Sequence, residues 1–352
     1  MLSSSCLHGL RTAKSDSLGG EYWDVKTAPR QRSRASLEHE LLTQIPARTE
    51  HSVKLIVQPD AGVGPLLTAI RCARKTIHIV IFRFDLDSVE DELADAVKRG
   101  VAVTALIAHT NTGGGKRLRK LEMRMLKRGV TVARTEDDLV RYHGKLLVVD
   151  KRRAYVFGFN YTKVDVKSRS FGLMVQSHRV VKELLHLFDS DANRTEYVPR
   201  MRDLVVSPEN ARRRLESFIR KARNRIDIYD PCVSDDGMVK LLRRRMAKGV
   251  EVRILGTLER KWRDAGFDAR PFPGNRLHVR AIIRDGRRAF VGSQSLRKLE
   301  LDNRREVGLI VRDRRIVCKL QKTFERDWRD TRPAGRKAVK ASRRVRGVRV
   351  AA

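Results

Sequence analysis

"YHGKLLVVDKRRAYVFGFN", residues 142–160, combines a buried strand with a charged opening. His143 and Lys145 stand two residues apart at the start of an apolar run. Because side chains alternate between the two faces of a strand, these two should point the same way. One such pair is typical of a strand edge, where a lysine keeps its charge in water. This pair is informative because the second half of the chain contains a counterpart.

The counterpart is "LHVRAIIRDGRRAFVGSQS", residues 277–295. Each motif residue stands 135 positions after its first-half equivalent: His278 after His143, Arg280 after Lys145, Asp285 after Asp150. The pattern His-x-(Lys/Arg)-x4-Asp therefore occurs twice, each time at the opening of an apolar run. One occurrence by chance is easy, whereas two at equivalent points of a repeat are not.

A longer repeat surrounds the two motifs. "LIVQPDAGVGPLLTAIRCARKTIHIVIF" (55–82) parallels "LVVSPENARRRLESFIRKARNRIDIYDP" (204–231), and "KRGVAVTALI" (98–107) parallels "AKGVEVRILG" (247–256). Each unit alternates Val- and Ile-rich strands with helix-period segments and glycine caps. This alternation predicts an α/β fold with two mixed, mainly parallel sheets flanked by helices. The duplication predicts two halves packed as a pseudo-dimer.

The repeat also suggests where domains begin and end. We predict a first domain over 51–199 and a second over 200–332, separated near the "YVPRMRD" break. Residues 1–50 are polar and irregular and are interpreted as a leader, and residues 333–352 as a basic tail.

The chain is strongly basic, with 76 Lys and Arg against 42 Asp and Glu and a formal net charge of +34. Its last 18 residues carry seven basic residues and no acid, so most of the excess belongs to the body of the protein. Such a charge favours anionic partners: nucleic acid, anionic lipid surfaces or phosphate-bearing substrates. It does not choose among them.

The cysteines and the hydropathy pattern indicate the cellular compartment and the relation of the protein to membranes. Cys6, Cys72, Cys232 and Cys318 are far apart and form no CxxC pair, which argues against a zinc site or a dense disulfide framework. We find no signal-peptide-like segment at the N-terminus and no run of about 18 apolar residues. These features predict a cytoplasmic protein without a transmembrane helix, whose contact with an anionic membrane would be peripheral.

The duplicated motif resembles that of the phospholipase D superfamily, in which His-x-Lys-x4-Asp precedes a Gly-Ser-x-Asn-like turn. The resemblance covers roughly residues 52 to 330. It implies a duplicated phospholipase D-like fold and an enzyme that cleaves phosphodiesters or transfers phosphatidyl groups without a metal or other cofactor. It further implies that both motifs meet in one active site between the halves, so that a monomer suffices.

The sequence departs from the family pattern in its second lysine and in both turns. Arg280 replaces the second lysine. Phe157-Gly158 replaces Gly-Ser in the first turn, although Asn160 is in place. Gly292-Ser293 is retained in the second turn, but Ser295 replaces the asparagine.

A further departure concerns the glutamate that members of this family often carry 28 residues beyond the histidine. Glu306 fits this spacing from His278, whereas the same spacing from His143 falls on Phe171. The sequence therefore predicts an asymmetric site.

These residue types suit phosphodiester chemistry. One imidazole can attack phosphorus and form a phosphohistidine, while the other protonates the leaving oxygen. Lys145 and Arg280 would stabilise charge on the phosphate oxygens. Neutral donors for the phosphate would come from Asn160, Ser293 and Ser295.

The motif carboxylates have different expected roles. Glu306 could fix a histidine tautomer. Asp150 and Asp285 complete the motifs and are candidate catalytic residues. However, each lies seven positions after its histidine, which places it on the opposite strand face, so a structural role in the turn stays open.

Three functions remain open. The first is a phospholipid-directed enzyme, either a phospholipase D or a cardiolipin-synthase-like transferase. The second is a metal-independent nuclease, and the third is a non-catalytic protein that binds nucleic acid or an anionic surface. Aromatic residues make up only 6% of the chain and do not interleave with basic ones as in single-strand binders. Two motifs in one chain favour the lipid enzyme, by family analogy alone.

Overall fold

A computed structural model describes residues 53–110, 115–274 and 276–331. The predicted leader and basic tail lie outside these ranges. The described chain forms two α/β halves, joined by a linker between residues 194 and 203.

The first half contains strands and helices in alternation. Its strands are β1 (Val53–Gln58), β2 (Thr76–Ile81), β3 (Ala102–Ile107), β4 (Thr131–Arg134), β5 (Arg141–Tyr142), β6 (Leu146–Val149), β7 (Arg153–Phe157) and β8 (Ser170–Val175). Its helices are α1 (Gly64–Arg71), α2 (Asp87–Lys98), α3 (Gly115–Lys127), α4 (Lys163–Val166) and α5 (His178–Asn193). All of these strands except β5 form one sheet, in the order β1-β8-β7-β6-β2-β3-β4.

The second half repeats this plan. Its strands are β9 (Leu204–Ser207), β10 (Arg225–Val233), β11 (Glu251–Leu258), β12 (Asp268–Arg270), β13 (Arg280–Arg284), β14 (Arg288–Gly292) and β15 (Arg304–Val311). Its helices are α6 (Ala211–Arg220), α7 (Asp236–Met246), α8 (Lys298–Asp302) and α9 (Arg314–Arg329), with a 3-10 turn at Arg260–Trp262. The second sheet has the order β12-β11-β10-β13-β14-β15-β5, and β9 also pairs with β15.

Both sheets are mixed and flanked by helices, which confirms the predicted fold class. Parallel pairing is, however, less common than predicted: it joins β2, β3 and β4 in one sheet, and β10, β11 and β12 together with the short β5–β15 pair in the other. The other neighbouring strands are antiparallel. The reason is that each motif strand turns directly into a hairpin, a connection only antiparallel strands allow.

The hairpin turns are encoded by the residues that follow each motif strand. Asp150 and Lys151 have φ angles of 53° and 52°, and Asp285 and Gly286 have φ angles of 53° and 59°. Positive φ at two consecutive residues is the hallmark of the type I′ turn, whose twist matches that of the strands it joins.

Three large hydrophobic clusters hold the described part of the chain together. One lies between the first sheet and helices α1, α2 and α3, and another between the second sheet and helices α6 and α7. The third and central cluster combines side chains of both sheets, such as Leu146 and Val291, with α5 and α9. The two halves therefore share a core, as the predicted pseudo-dimer requires.

Candidate active site

The two halves exchange backbone contacts at the site. The short strand β5 leaves its own half and pairs in parallel with β15, with Arg141 opposite Arg304 and Tyr142 opposite Arg305. The next amide, that of His143, donates to the carbonyl oxygen of Arg305 at 2.8 Å. Extending this register places His143 beside Glu306. The first-half histidine is thus anchored to the second-half sheet.

The second histidine is anchored in the reciprocal way. The amide of His278 donates to the carbonyl oxygen of Arg169 at 2.9 Å, and the amide of Arg169 donates to Arg276 at 3.0 Å. Each catalytic candidate therefore depends on the opposite half for its position.

His143 is surrounded by charged and aromatic groups. Its Nδ1 lies 2.8 and 2.9 Å from the two carboxylate oxygens of Glu306. The Nζ of Lys145 lies 2.9 Å from Nδ1 and 3.0 Å from Nε2. The ring of Phe82 packs edge-on at a centroid distance of 4.5 Å. Because Glu306 is fully buried, its carboxylate is held against the imidazole and can select the tautomer of that ring.

His278 faces a carboxylate that sequence reasoning missed. Its Nδ1 lies 3.3 Å from Oδ2 of Asp165, a first-half residue. Asp165 also accepts from the backbone amide of Asn160 at 2.8 Å, from the Asn160 side chain at 2.5 Å, and from Arg276. Asp165 is therefore the carboxylate beside His278, as Glu306 is beside His143, but its 3.3 Å contact lacks hydrogen-bond geometry.

A repeated spacing could have revealed Asp165. It stands five residues after Asn160, just as Glu300 stands five residues after Ser295, and in both cases the carboxylate accepts the backbone amide of the earlier residue. Phe171, at the position of the missing glutamate, is buried in the central cluster, 5.3 Å from the ring of Tyr229.

Two buried cations belong to this centre. Lys145 is 1% exposed and Arg280 is 8% exposed, and the charges of both act on both imidazoles. The Nε and Nη1 atoms of Arg280 have no hydrogen-bond partner among the described residues, and Nε is 3.7 Å from Glu300. A buried guanidinium with unsatisfied donors is poised to bind an anion.

Burial sets the protonation states of the imidazoles. It lowers the pKa of His143 well below its usual value, and the charges of Lys145 and Arg280 lower it further. It also lowers the pKa of His278 strongly, with Arg280 acting in the same direction and Asp165 opposing. Both imidazoles are therefore neutral near pH 7, and a neutral ring has the lone pair that a nucleophile needs.

The other charged groups of the site respond to the same burial. Burial lowers the pKa of Lys145 to about 7, although Glu306 opposes the shift. Burial raises the pKa of Glu306 to about 7 against the charge of Lys145. For Asp165 burial also acts upward, but His278 and the hydrogen bond from Arg276 lower its pKa to about 2.

The motif aspartates lie away from this site, which corrects their inclusion among the candidate catalytic residues. Asp150 accepts the amides of Arg74, Lys75 and Thr76 at 2.7–3.1 Å. Asp285 accepts those of Arg223, Asn224 and Arg225 at 2.8–3.1 Å. An extended stretch of seven residues places each aspartate roughly 20 Å from its histidine. Their carboxylates brace the helix-to-strand loops of each half.

The predicted neutral donors lie beside the site and already have protein partners. The side-chain amide of Asn160 donates to Asp165, and its Oδ1 has no partner among the described residues. The hydroxyl of Ser293 donates to the carbonyl of Val307 at 3.3 Å, and that of Ser295 donates to Asp230. Asn160 retains a second amide hydrogen, whereas each serine would have to rotate to reach a phosphate.

The Phe157-Gly158 departure allows the two turns to pack closely. A Cβ atom on Gly158 would lie 3.0 Å from the carbonyl oxygens of both Gly292 and Phe171. A serine in this position would push the motif turns apart. The glycine thus keeps the two halves in contact next to the histidines.

No group of three or more His, Cys, Asp or Glu side chains in the described part of the chain is arranged to hold a metal ion. None of the described helices combines the length and apolar character needed to cross a bilayer.

The fold and site define a class: duplicated α/β proteins in which two equivalent motifs build one basic, histidine-containing centre. The family model described as "Cardiolipin synthase, PLD-like domain" matches residues 66–192 and again residues 215–328. The chain belongs to this family and, with it, to the phospholipase D superfamily. No curated protein matches the chain.

Solved structures show the same fold. Polyphosphate kinase from Porphyromonas gingivalis is 18% identical with a TM-score of 0.65, and the match covers 79% of this chain and 47% of the kinase. This chain therefore spans about half of that protein. Phosphatidylserine synthase from Haemophilus influenzae Rd KW20 is 11% identical with a TM-score of 0.63, and the match covers 80% of this chain and 87% of the synthase.

Proposed function

We propose that this protein cleaves or transfers phosphodiesters through a phosphohistidine intermediate formed at the His143–His278 centre. One observation carries the proposal: two neutral, buried imidazoles, each beside a carboxylate, share two buried cations, one of which has unsatisfied donors. This combination supplies a nucleophile, an acid and an anion-binding group within one buried centre.

The first step exchanges one bond for another at phosphorus. The Nε2 lone pair of one histidine forms a P–N bond as the P–O bond to the leaving group breaks. The second histidine, protonated when the anionic substrate binds beside it, transfers its proton to the departing oxygen. The carboxylate at the nucleophile's Nδ1 stabilises the positive charge that develops on its ring.

The second step reverses the roles of the groups. Water or an alcohol attacks phosphorus and loses a proton to the second histidine, while the P–N bond breaks and the first imidazole is restored neutral. Lys145 and Arg280 stabilise the charge on the non-bridging oxygens in both steps. Asn160 is the neutral donor that needs least rearrangement to assist them, with Ser293 and Ser295 as further candidates.

For the substrate we propose a phospholipid, in keeping with peripheral contact with an anionic membrane. Four large apolar side chains are exposed on elements that border the site: Met123, Leu126, Val140 and Val164. Val164 lines a groove that includes Asp165 and is walled by Arg117 and Lys120 of α3. Exposed apolar groups next to basic ones suit a lipid surface, where the former can enter the acyl region.

The groove also supports a second candidate, a nuclease. Its lining carries Arg83, Arg117, Lys120, Arg124 and Arg276, and of these Arg124 and Arg276 contact acids of the protein. A row of free cations can follow a nucleic-acid backbone. The apolar side chains would gain nothing from such a partner, which is why we favour the lipid.

One experiment tests the proposal. The purified chain is incubated with EDTA and with either phospholipid vesicles or plasmid DNA, in parallel with His143→Ala and His278→Ala. We expect turnover of the lipid alone, lost in both variants. Cutting of DNA alone would select the nuclease, and binding without turnover would leave a non-catalytic surface protein. Added glycerol or phosphatidylglycerol then shows whether an alcohol competes with water.

A further inference from the structure

A group of arginines lies beside the centre but outside the proposed chemistry. Arg141 and Arg304 are paired residues of β5 and β15. Each stands two positions before a member of the His143–Glu306 pair. Because alternate side chains share a strand face, all four groups lie on the same face of this two-stranded segment.

The side chains on the opposite face of the β5–β15 segment follow the same alternation. Arg305 lies with its guanidinium 5.6 Å from the ring of Tyr142, and it is paired with Asp191 at 3.0 Å. The intervening residues therefore point into the protein on the other side. Arg141 and Arg304 are left on the face that carries the histidine.

The arginines are short of acidic partners. Arg141 and Arg83 form no ion pair within the described residues, and the pKa of Arg141 is lowered by burial and by the charges of Arg304 and Arg83. Arg304 contacts Glu300 at 3.3 Å through Nη1, but its buried Nε has no partner in the described ranges. Two like charges on paired strand residues, with an unsatisfied donor on Arg304, are stabilised when an anion binds between them.

We propose that Arg141 and Arg304 form a subsite for a second anionic group of the substrate, most simply a second phosphate. Two residues of extended chain separate this subsite from His143 by roughly 6–7 Å. A short carbon linker between two phosphates can span that gap. The inference rests on the proposed function, because the first phosphate is the one that reacts between the histidines.

Binding of small anions tests the subsite without turnover. The probes are orthophosphate and 1,3-propanediol bisphosphate, titrated calorimetrically into the full chain. We expect the bisphosphate to bind about tenfold more tightly than orthophosphate, the effect of one added charged hydrogen-bonding group. In Arg141→Gln the preference should fall to within about twofold.

A matched control separates a local contact from general charge. Arg287→Gln removes an exposed arginine at the hairpin turn, at the far end of the strand from His278, and should retain the full preference. Arg304→Gln serves as a second variant should Arg141→Gln fold poorly, as judged by its thermal midpoint. Equal binding of the two probes by the wild type, or an unchanged preference in both site variants, would overturn the subsite.

The source of the second phosphate is distinguished by turnover. One pair of substrates is phosphatidylglycerol vesicles with and without a terminal phosphate on the head group; the other is a thymidine dinucleotide with and without a terminal phosphate. Preference for the doubly anionic member of a pair identifies the source. A bisphosphate preference without any turnover would uphold the subsite and reject the proposed reaction, whereas turnover without that preference would do the reverse.

Discussion

Glu306 stands 28 residues after His278 in the sequence, yet in the structure it contacts His143, with Oε1 2.8 Å from Nδ1. The carboxylate beside His278 is Asp165, from the other half. Each imidazole thus lies beside an acid from the other half of the chain. Although Phe171 stands where a glutamate would be expected, both histidines therefore have a neighbouring carboxylate.

Asp165→Asn should reduce kcat by about 100-fold while changing KM little, because the amide cannot stabilise a positive His278 ring. The measurement is hydrolysis of bis-p-nitrophenyl phosphate across pH. The limb of the profile that reports His278 should move to lower pH, because Asp165 raises the pKa of that ring. Asp264→Asn, at an exposed aspartate, is the control and should behave as the wild type. A variant at position 165 with wild-type kcat would show that Asp165 is only structural.

Arg280→Lys should keep kcat/KM within about tenfold of the wild type, because a buried cation remains beside both histidines. Arg280→Gln should lose about 100-fold or more, since the charge that stabilises the phosphate oxygens is gone. Steady-state kinetics on the same soluble diester measure both. Comparable activity of the glutamine variant would mean that Lys145 alone supplies the charge.

Asp285→Ala should destabilise the fold and leave chemistry intact. Three backbone amides lose their acceptor, at a cost of about 1–3 kcal/mol in the free energy of unfolding. Burial opposes the shift, but these hydrogen bonds hold the pKa of Asp285 below its usual value, so its stabilisation is lost as pH falls below about 4. Urea unfolding at pH 7 and pH 3 checks this. A lower kcat in the folded variant would return Asp285 to the catalytic set.

Lys145→Met should abolish activity yet stabilise the unliganded protein at pH 6, by about 2–4 kcal/mol. The folded-state pKa of about 7 lies below the unfolded value. The cost of burying the ammonium is therefore fully present below pH 7 and disappears as pH rises toward 10. Thermal midpoints at pH 6 and pH 9.5 should show a gain that shrinks with pH. Lys322→Met, on the exposed face of α9, should show no such gain.

Met123→Ser combined with Leu126→Ser should lower turnover of phosphatidylglycerol vesicles several-fold and leave hydrolysis of the soluble diester unchanged. The two side chains are 55% and 47% exposed on the basic face of α3, and their insertion into lipid would be lost. Val198→Ser removes another exposed apolar side chain and serves as the control. Equal vesicle turnover by the double variant would exclude α3 from the lipid contact.

The duplicated motif and its alternation were enough to predict the fold class. His143, Lys145, His278 and Arg280 could be placed on matching strand faces from spacing alone. The exchange of β5 could not be predicted, because two residues of strand carry no periodicity and the partner is more than 160 positions away.

Other features were hidden for different reasons. Asp165 belongs to no motif and lies on a single turn of helix, so only its equivalence with Glu300 marked it. Their place in the motif suggested that Asp150 and Asp285 are catalytic. Their odd spacing from each histidine instead indicated a place in the turn, which is where the structure has them. Face alternation was thus the better guide than membership of the motif.

Because each histidine backbone is held by the opposite half, the rate of the reaction depends on how the two halves pack against each other. The carbonyl of Arg305, in the second half, accepts from the amide of His143. The carbonyl of Arg169, in the first half, accepts from the amide of His278. Any loosening of the interface between the two halves would misalign both imidazole rings, while the strands and helices stay intact. During gradual denaturation the rate of diester cleavage should consequently fall before the circular dichroism signal does.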